Sequence, residues 1–173
     1  MKKILPVFAL LLIVLLNACK KEGLSHVIEF NKSYDAWKDF KAASNNDYRY
    51  TVTTSSWVGT QTETVVTVQN GIVVGRDYLY TYSTHNGTSW QVDTVLTWKE
   101  SGAQLATHQD GAPLLTLDEI YNEAKSNWLK KRDDAETFFE AKNNGMISTA
   151  GYVPNGCADD CFRGIHIKEI KAL

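Results

Sequence analysis

The residues best suited to chemistry lie near the carboxyl end of the 173-residue sequence, in the segment 157–161 and at His166. Asp159 and Asp160 are adjacent carboxylates that could present oxygen ligands to Ca²⁺ or, with His166, act as an acid and a base. Calcium takes about six to eight oxygen ligands, and the sequence lacks the Asp-x-Asp-x-Asp-Gly pattern that supplies them. We therefore interpret these acids first as solvated loop residues, with a hydrolase that uses Asp159, Asp160 and His166 as an alternative.

A second histidine, His108, lies near Asp110, and such a pair could act as a base and the group that orients it. No Gly-x-Ser-x-Gly motif places a nucleophile beside it. The sequence also lacks His-Glu-x-x-His and Cys-x-x-Cys, which are typical ligand spacings of zinc sites, and His26 and His85 stand alone. We therefore expect no metal, no cofactor and no enzymatic activity.

Five aromatic side chains form a third group. Tyr78, Tyr80 and Tyr82 alternate along one predicted strand, and Trp90 and Trp98 lie on its expected hairpin partner. Aromatic pairs across neighbouring strands stabilise sheets, so simple packing is one interpretation. The other is an exposed platform that binds a sugar, a peptide or a protein, because Tyr and Trp dominate binding surfaces.

The amino-terminal segment is typical of an exported lipoprotein. Lys2 and Lys3 precede an apolar run over residues 4–16, which has the length of a signal peptide and is too short to cross about 30 Å of hydrocarbon. The run ends at Cys19, with an apolar residue at the third position before it and a small residue directly before it, as in the bacterial lipobox. We expect residues 1–18 to be removed and Cys19 to carry palmitate and further acyl chains. An ordinary cleaved signal, whose cysteine later joins a disulfide, is the alternative.

This processing predicts a lipid anchor in the envelope of a Gram-negative bacterium, in the outer membrane. Residues 19–29 are then a lipidated tether, and residues 30–173 form one domain. Loss of Lys2 and Lys3 changes the formal net charge from −2 to −4. The composition therefore has no excess of basic residues that would favour binding to nucleic acid. Cys157 and Cys161 remain as an even pair in an exported chain, which predicts a disulfide between them.

The elements that position these residues follow from the spacing of apolar side chains. A helix is predicted over residues 33–44, because one stripe repeats every three or four positions: Phe30, Tyr34, Trp37 and Phe40. From Tyr48 the period changes to two and predicts strands, with a tight hairpin at Asn70 and Gly71. A second hairpin at residues 85–88 joins two further strands. Its second strand would carry one face of alternating residues: Trp90, Val92, Thr94, Leu96 and Trp98.

A capping box at Thr116 and Glu119 predicts the start of a second helix. Its expected core stripe is Leu117, Ile120, Tyr121, Ala124 and Trp128. Three strands follow, over residues 136–142, 146–153 and 162–173. We therefore predict an α+β fold: a single domain with a curved antiparallel β-sheet and two helices packed on one face, in the order α-β4-α-β3.

Five blocks of sequence resemble a family of bacterial envelope lipoproteins classed as a domain of unknown function. They are Trp37, residues 48–51, residues 68–74, residues 116–121 and residues 151–154. The resemblance covers most of residues 30–173. The family itself is distantly similar to β-lactamase-inhibitor-like folds. The resemblance implies a fold and no assigned activity. The family commonly has Gly-Tyr-Pro where Val153 here separates the tyrosine from the proline.

Three functions remain open on this basis. The first is a non-catalytic envelope module that binds a protein or a glycan and contacts the membrane through its lipid. The second is a proteinaceous inhibitor of an envelope or foreign hydrolase, by analogy with the inhibitor-like fold. The third is the hydrolase named above. The possible binding residues are the five aromatic side chains together with Asp159 and Asp160.

Overall fold

The computed structural model describes residues 23–173, so the predicted signal peptide, Cys19 and the start of the predicted tether lie outside the described residues. The helices and strands are α1 (Val27–Ala43), β1 (Tyr48–Ser55), β2 (Thr60–Gln69), β3 (Ile72–His85), β4 (Trp90–Ser101), α2 (Leu117–Glu123), β5 (Ala135–Glu140), β6 (Thr149–Pro154) and β7 (Arg163–Ala172). A 3-10 turn at Gly102–Gln104 follows β4, and a π-helical turn at Ala124–Trp128 extends α2. None of the described helices is long and apolar enough to cross a membrane.

The seven strands form one antiparallel sheet in the order β4-β3-β2-β1-β7-β6-β5. Strands β1 to β4 follow one another as hairpins, and β7 returns to lie beside β1. Asn70 and Gly71 both have positive φ and make the predicted turn between β2 and β3. The predicted α+β class, with a single antiparallel sheet and two helices, is confirmed.

A buried aromatic cluster joins the sheet to both helices. The rings of Trp37 in α1 and Tyr48 in β1 are fully buried and meet edge to face, with their centroids 5.1 Å apart. The hydroxyl of Tyr48 accepts the N–H of Leu117 at 2.9 Å, at the start of α2. The hydroxyl of Tyr121 in α2 donates to the carbonyl of Ser33 in α1 at 3.0 Å. Alternate residues of β1, beginning at Tyr48, therefore face the helices.

The helix α1 begins at Val27, well before the predicted start at Ser33, so part of the predicted tether is helical. Before the helix, Leu24 pairs with Lys130 in an isolated antiparallel bridge. The apolar spacing missed the first turn because Val27 and Ile28 are exposed and add nothing to the buried stripe.

The capping box at the start of α2 is confirmed. Thr116 Oγ1 accepts the N–H of Glu119 at 3.3 Å, and the carboxylate of Glu119 accepts the N–H of Thr116 at 2.7 Å. These two bonds satisfy backbone donors that the first helical turn leaves without partners.

The end of α2 differs from the predicted helix. The N–H of Leu129 donates to the carbonyl of Ala124 at 2.9 Å, which is the wider hydrogen-bond spacing of a π turn. The extra residue rotates the side chains that follow. Leu129 is therefore fully buried and Trp128 only half-buried, so Leu129, not Trp128, forms the buried end of the predicted stripe.

Candidate functional site

The strands β1 and β7 pair over only part of their length. β1 pairs with β2 from Tyr48 to Ser55, but with β7 only from Tyr48 to Val52. The pairing shifts between Thr51 and Val52, where Lys168 is the extra residue in β7. The first part of β7, over residues 163–166, pairs with β6 instead. A cleft of about 770 Å³ opens between the two strands beyond Val52.

The walls of this β1–β7 cleft combine polar and apolar surface in about equal parts. Six hydroxyl side chains line it: Thr53, Thr54, Ser55, Ser56, Thr60 and Thr62. The other lining residues are Val52, Gln61, Glu63, Asp160, Phe162, Gly164, Ile165 and His166. Its volume lies in the range of about 300–1,000 Å³ that is typical of small-ligand sites. The lining offers hydrogen-bond donors and acceptors together with a comparable apolar surface.

A disulfide-bonded loop carries one acid to the cleft. Cys157 and Cys161 form the predicted disulfide, with their Cα atoms 6.3 Å apart. Within this ring, Asp160 adopts a left-handed backbone conformation, with φ of 45°. Its Oδ2 accepts a hydrogen bond of 2.7 Å from Ser56 Oγ, across from the end of β1. Asp159 is exposed and does not line the cleft, so the structure separates the two predicted acids.

His166 reaches the cleft from β7 but has partners of its own. Its ring stacks on Phe162 with centroids 4.2 Å apart, and its Nδ1 lies 3.2 Å from the hydroxyl of Thr149. Burial lowers the pKa of His166, and the nearby carboxylate of Glu140 opposes this shift. Among the described residues, no hydrogen bond joins His166 to Asp160. The two residues share a cleft without forming an acid–base pair.

Glu63, the second acid of the cleft, is also paired. Lys168 Nζ donates to its Oε1 at 2.5 Å. This hydrogen bond and the charge of Glu63 raise the pKa of Lys168. Lys168 is the extra residue at the point where β1 and β7 diverge, so the ion pair spans the start of the cleft.

The five predicted aromatic binding residues do not form one platform. Tyr78 and Trp98 are buried and stacked, with ring centroids 5.0 Å apart. Tyr80 is half-buried and Tyr82 is 40% exposed on the same face of β3. Packing therefore accounts for Tyr78 and Trp98, while Tyr82 keeps an accessible ring.

A β-bulge in β4 places Trp90 on the opposite face. Tyr80 lies opposite Leu96, but Thr81 lies opposite Thr94, so Val95 is an extra residue. The alternation reverses at this point. The prediction that the alternate residues from Trp90 to Trp98 share one face is therefore wrong, because it assumed a strand without a bulge. Trp90 is 70% exposed and its ring lies 5.0 Å from that of His85.

His108, the other predicted histidine, is exposed and lies at the edge of a cluster formed by the buried side chains of Arg76, Trp98 and Glu100. Its ring stacks on Trp98 with centroids 4.3 Å apart, and its Nδ1 lies 3.2 Å from Glu100 Oε2. Glu100 also accepts a 2.9 Å hydrogen bond from Arg76 Nε, and Arg76 donates to the carbonyl of Ala112 at 2.6 Å. These contacts hold the loop after β4 against the sheet.

The electrostatics of this cluster favour a charged Glu100. Burial alone would raise its pKa, but the N–H groups of Ala106 and His108, and the side chains of His108 and Arg76, outweigh burial. The pKa of Glu100 therefore falls from 4.5 to about 2. Arg76 and Glu100 were not among the residues predicted from the sequence. The available signal was a pair of opposite charges on two strands of one hairpin, repeated directly beside it by Asp77 and Lys99.

Among residues 23–173, no group of three or more His, Cys, Asp or Glu side chains could hold a metal ion. Comparison of the chain with protein-family models, with curated proteins and with solved structures finds no match.

Proposed function

We propose that this protein is a lipid-anchored module of the bacterial cell envelope that binds a protein or a glycan in the β1–β7 cleft, without catalysing a reaction. The observation that carries the proposal is the cleft itself, which combines a ligand-sized volume with six hydroxyl side chains. The lipobox at Cys19 supports the anchor, and we assign the protein to the outer membrane of a Gram-negative bacterium on the same basis.

The charges in the cleft favour a neutral polar ligand. Glu63 is paired with Lys168, and Asp160 accepts a hydrogen bond from Ser56. A charged ligand would have to compete with these bonds, whereas the hydroxyls of a sugar or the amides of an extended peptide could add to them. The rim residues of β1 and β7 also present backbone groups that face the cleft outside the β1–β7 ladder.

A hydrolase is the second candidate, because Asp160 and His166 line the same cleft. This candidate is less well supported because the two side chains bond to different residues: Asp160 to Ser56, and His166 to Thr149. A general base must reach the proton that it removes, and each group would first have to leave its present hydrogen bond.

Site-specific photocrosslinking in intact cells tests the proposal. A photoreactive amino acid at Gln61, an exposed residue of the cleft, should form a covalent adduct with the ligand. The additional substitution Ser55→Arg should remove the adduct, because exposed Ser55 pairs with Gln61 and the longer side chain fills the cleft on the same face of the sheet. The matched control carries the photoreactive group at Arg49, an exposed residue of β1 that does not line the cleft, and should give no adduct. Equal adducts at both positions, or an adduct that survives Ser55→Arg, would refute the cleft as the binding site.

A further inference from the structure

Three lysines cluster where the chain enters the folded domain. Lys125 lies in the π turn, and Lys130 and Lys131 follow it. Together with Gly23 and Leu24 they line a recess of about 250 Å³, and all three lysines are exposed. We call these three side chains the basic entrance.

Backbone hydrogen bonds fix the chain beside these lysines. The N–H of Lys131 donates to the carbonyl of Gly23 at 2.8 Å, and the N–H of Ser25 donates to the carbonyl of Leu129 at 2.8 Å. Leu24 pairs with Lys130 between these two bonds. The start of the described chain is therefore held in one place relative to the lysines, and does not swing freely away from them.

The basic entrance has no described counter-charge. None of its lysines lies within ion-pair distance of a carboxylate of residues 23–173. Elsewhere in that part of the chain, exposed lysines such as Lys99, Lys168 and Lys171 each pair with an acid. Three neighbouring cations without such partners attract anions more strongly than paired ones do.

The short chain between Cys19 and Gly23 indicates which anions the basic entrance meets. From Cys19 to Gly23 the chain advances four residues, so even when fully extended it spans at most about 14 Å. Electrostatic attraction to a membrane surface extends over about one Debye length, roughly 8 Å at physiological salt. A lipid on Cys19 would hold the basic entrance within or close to this range of the lipid phosphates.

We propose that the basic entrance binds the anionic headgroups of the membrane in which the Cys19 lipid is inserted, and so limits the orientations of the domain. This inference rests on the proposed lipid anchor. The mature chain carries a formal net charge of −4, since removal of residues 1–18 takes away Lys2 and Lys3 from a chain of charge −2. Attraction to an anionic surface must therefore come from a local cluster and not from the protein as a whole.

Vesicle co-sedimentation of a chain without acyl groups tests the proposal. The test protein is the mature chain, residues 19–173 with Cys19→Ser, which contains every described residue. It should bind vesicles that contain phosphatidylglycerol and not vesicles of phosphatidylcholine alone, and added salt should weaken the binding. Substitution of Lys125, Lys130 and Lys131 by Gln should weaken binding at least about tenfold, since each lysine near an anionic surface contributes to it.

The matched control replaces three other exposed lysines, Lys99, Lys142 and Lys171, by Gln. This variant has the same net charge and should bind as the unsubstituted chain does. Circular dichroism and urea unfolding check that both variants are folded. Equal binding by the two triple variants, or equal binding to both kinds of vesicle, overturns the basic entrance as a membrane contact. Neither result bears on the anchor itself, because the test chain carries no lipid.

Discussion

At the scale of single residues, the structure assigns different roles to side chains that look alike in the sequence. Arg76 and Asp77 are neighbours in β3, and each faces an opposite charge in β4. Arg76 and Glu100 are buried together, while Asp77 and Lys99 form an exposed pair. A buried ion that loses its partner is costly, whereas an exposed pair contributes little.

We expect Glu100→Gln to lower the free energy of unfolding by about 3 to 5 kcal/mol, because it leaves the buried guanidinium of Arg76 without a counter-charge. Asp77→Asn, at the adjacent position of the same hairpin, should cost less than about 1 kcal/mol. Urea unfolding at neutral pH measures both. Similar losses for the two variants would mean that Arg76 and Glu100 are open to solvent.

The same carboxylate makes stability depend on pH. The pKa of Glu100 is lower in the folded chain, at about 2, than its ordinary value of 4.5. Its contribution is therefore complete above about pH 4.5 and is lost as the pH falls toward 2. Glu100→Gln lacks this titration, so the stability gap between it and the unsubstituted protein should narrow in acid. A gap that stays constant down to pH 2 would contradict the assigned pKa.

At the scale of elements, single extra residues account for the main differences from the sequence-based expectations. The π turn at Ala124–Trp128 moves the buried position from Trp128 to Leu129. The bulge at Val95 turns Trp90 away from the face that carries Trp98. A periodic pattern cannot reveal such an insertion, because the residues on each side of it still follow the expected period. The capping box at Thr116 needed only local spacing, and it could be predicted.

The π turn predicts which of two neighbouring substitutions lowers the free energy of unfolding more. Leu129→Ala empties a fully buried site and should lower the free energy of unfolding by about 2 to 5 kcal/mol. Trp128→Ala removes a larger ring that is only half-buried, so it should lower the free energy of unfolding by less than Leu129→Ala does. Denaturant unfolding of the two variants measures the difference. A larger loss for Trp128→Ala would indicate a regular α-helix that continues through residue 128.

At the scale of the whole molecule, the fold class follows from the sequence, but the cleft does not. The change of period at Tyr48 and the turn at Asn70 and Gly71 are local signals, and they suffice for an antiparallel sheet with two helices. The cleft depends on where β1 and β7 stop pairing, which is set by two strands far apart in the chain. Asp160 and His166 were selected from the sequence by their chemistry, and the structure brings them to one cleft without joining them.

Metabolic labelling with palmitate, followed by fractionation of the envelope, tests the lipid anchor. The protein should incorporate the label and remain with the membrane, and Cys19→Ser should stay unprocessed and unlabelled. Cys157→Ser and Cys161→Ser are the matched controls, because they remove the only other cysteines of the chain and should keep the label. A Cys19→Ser protein that is cleaved and released normally, or an unsubstituted protein without label, would contradict the lipid anchor.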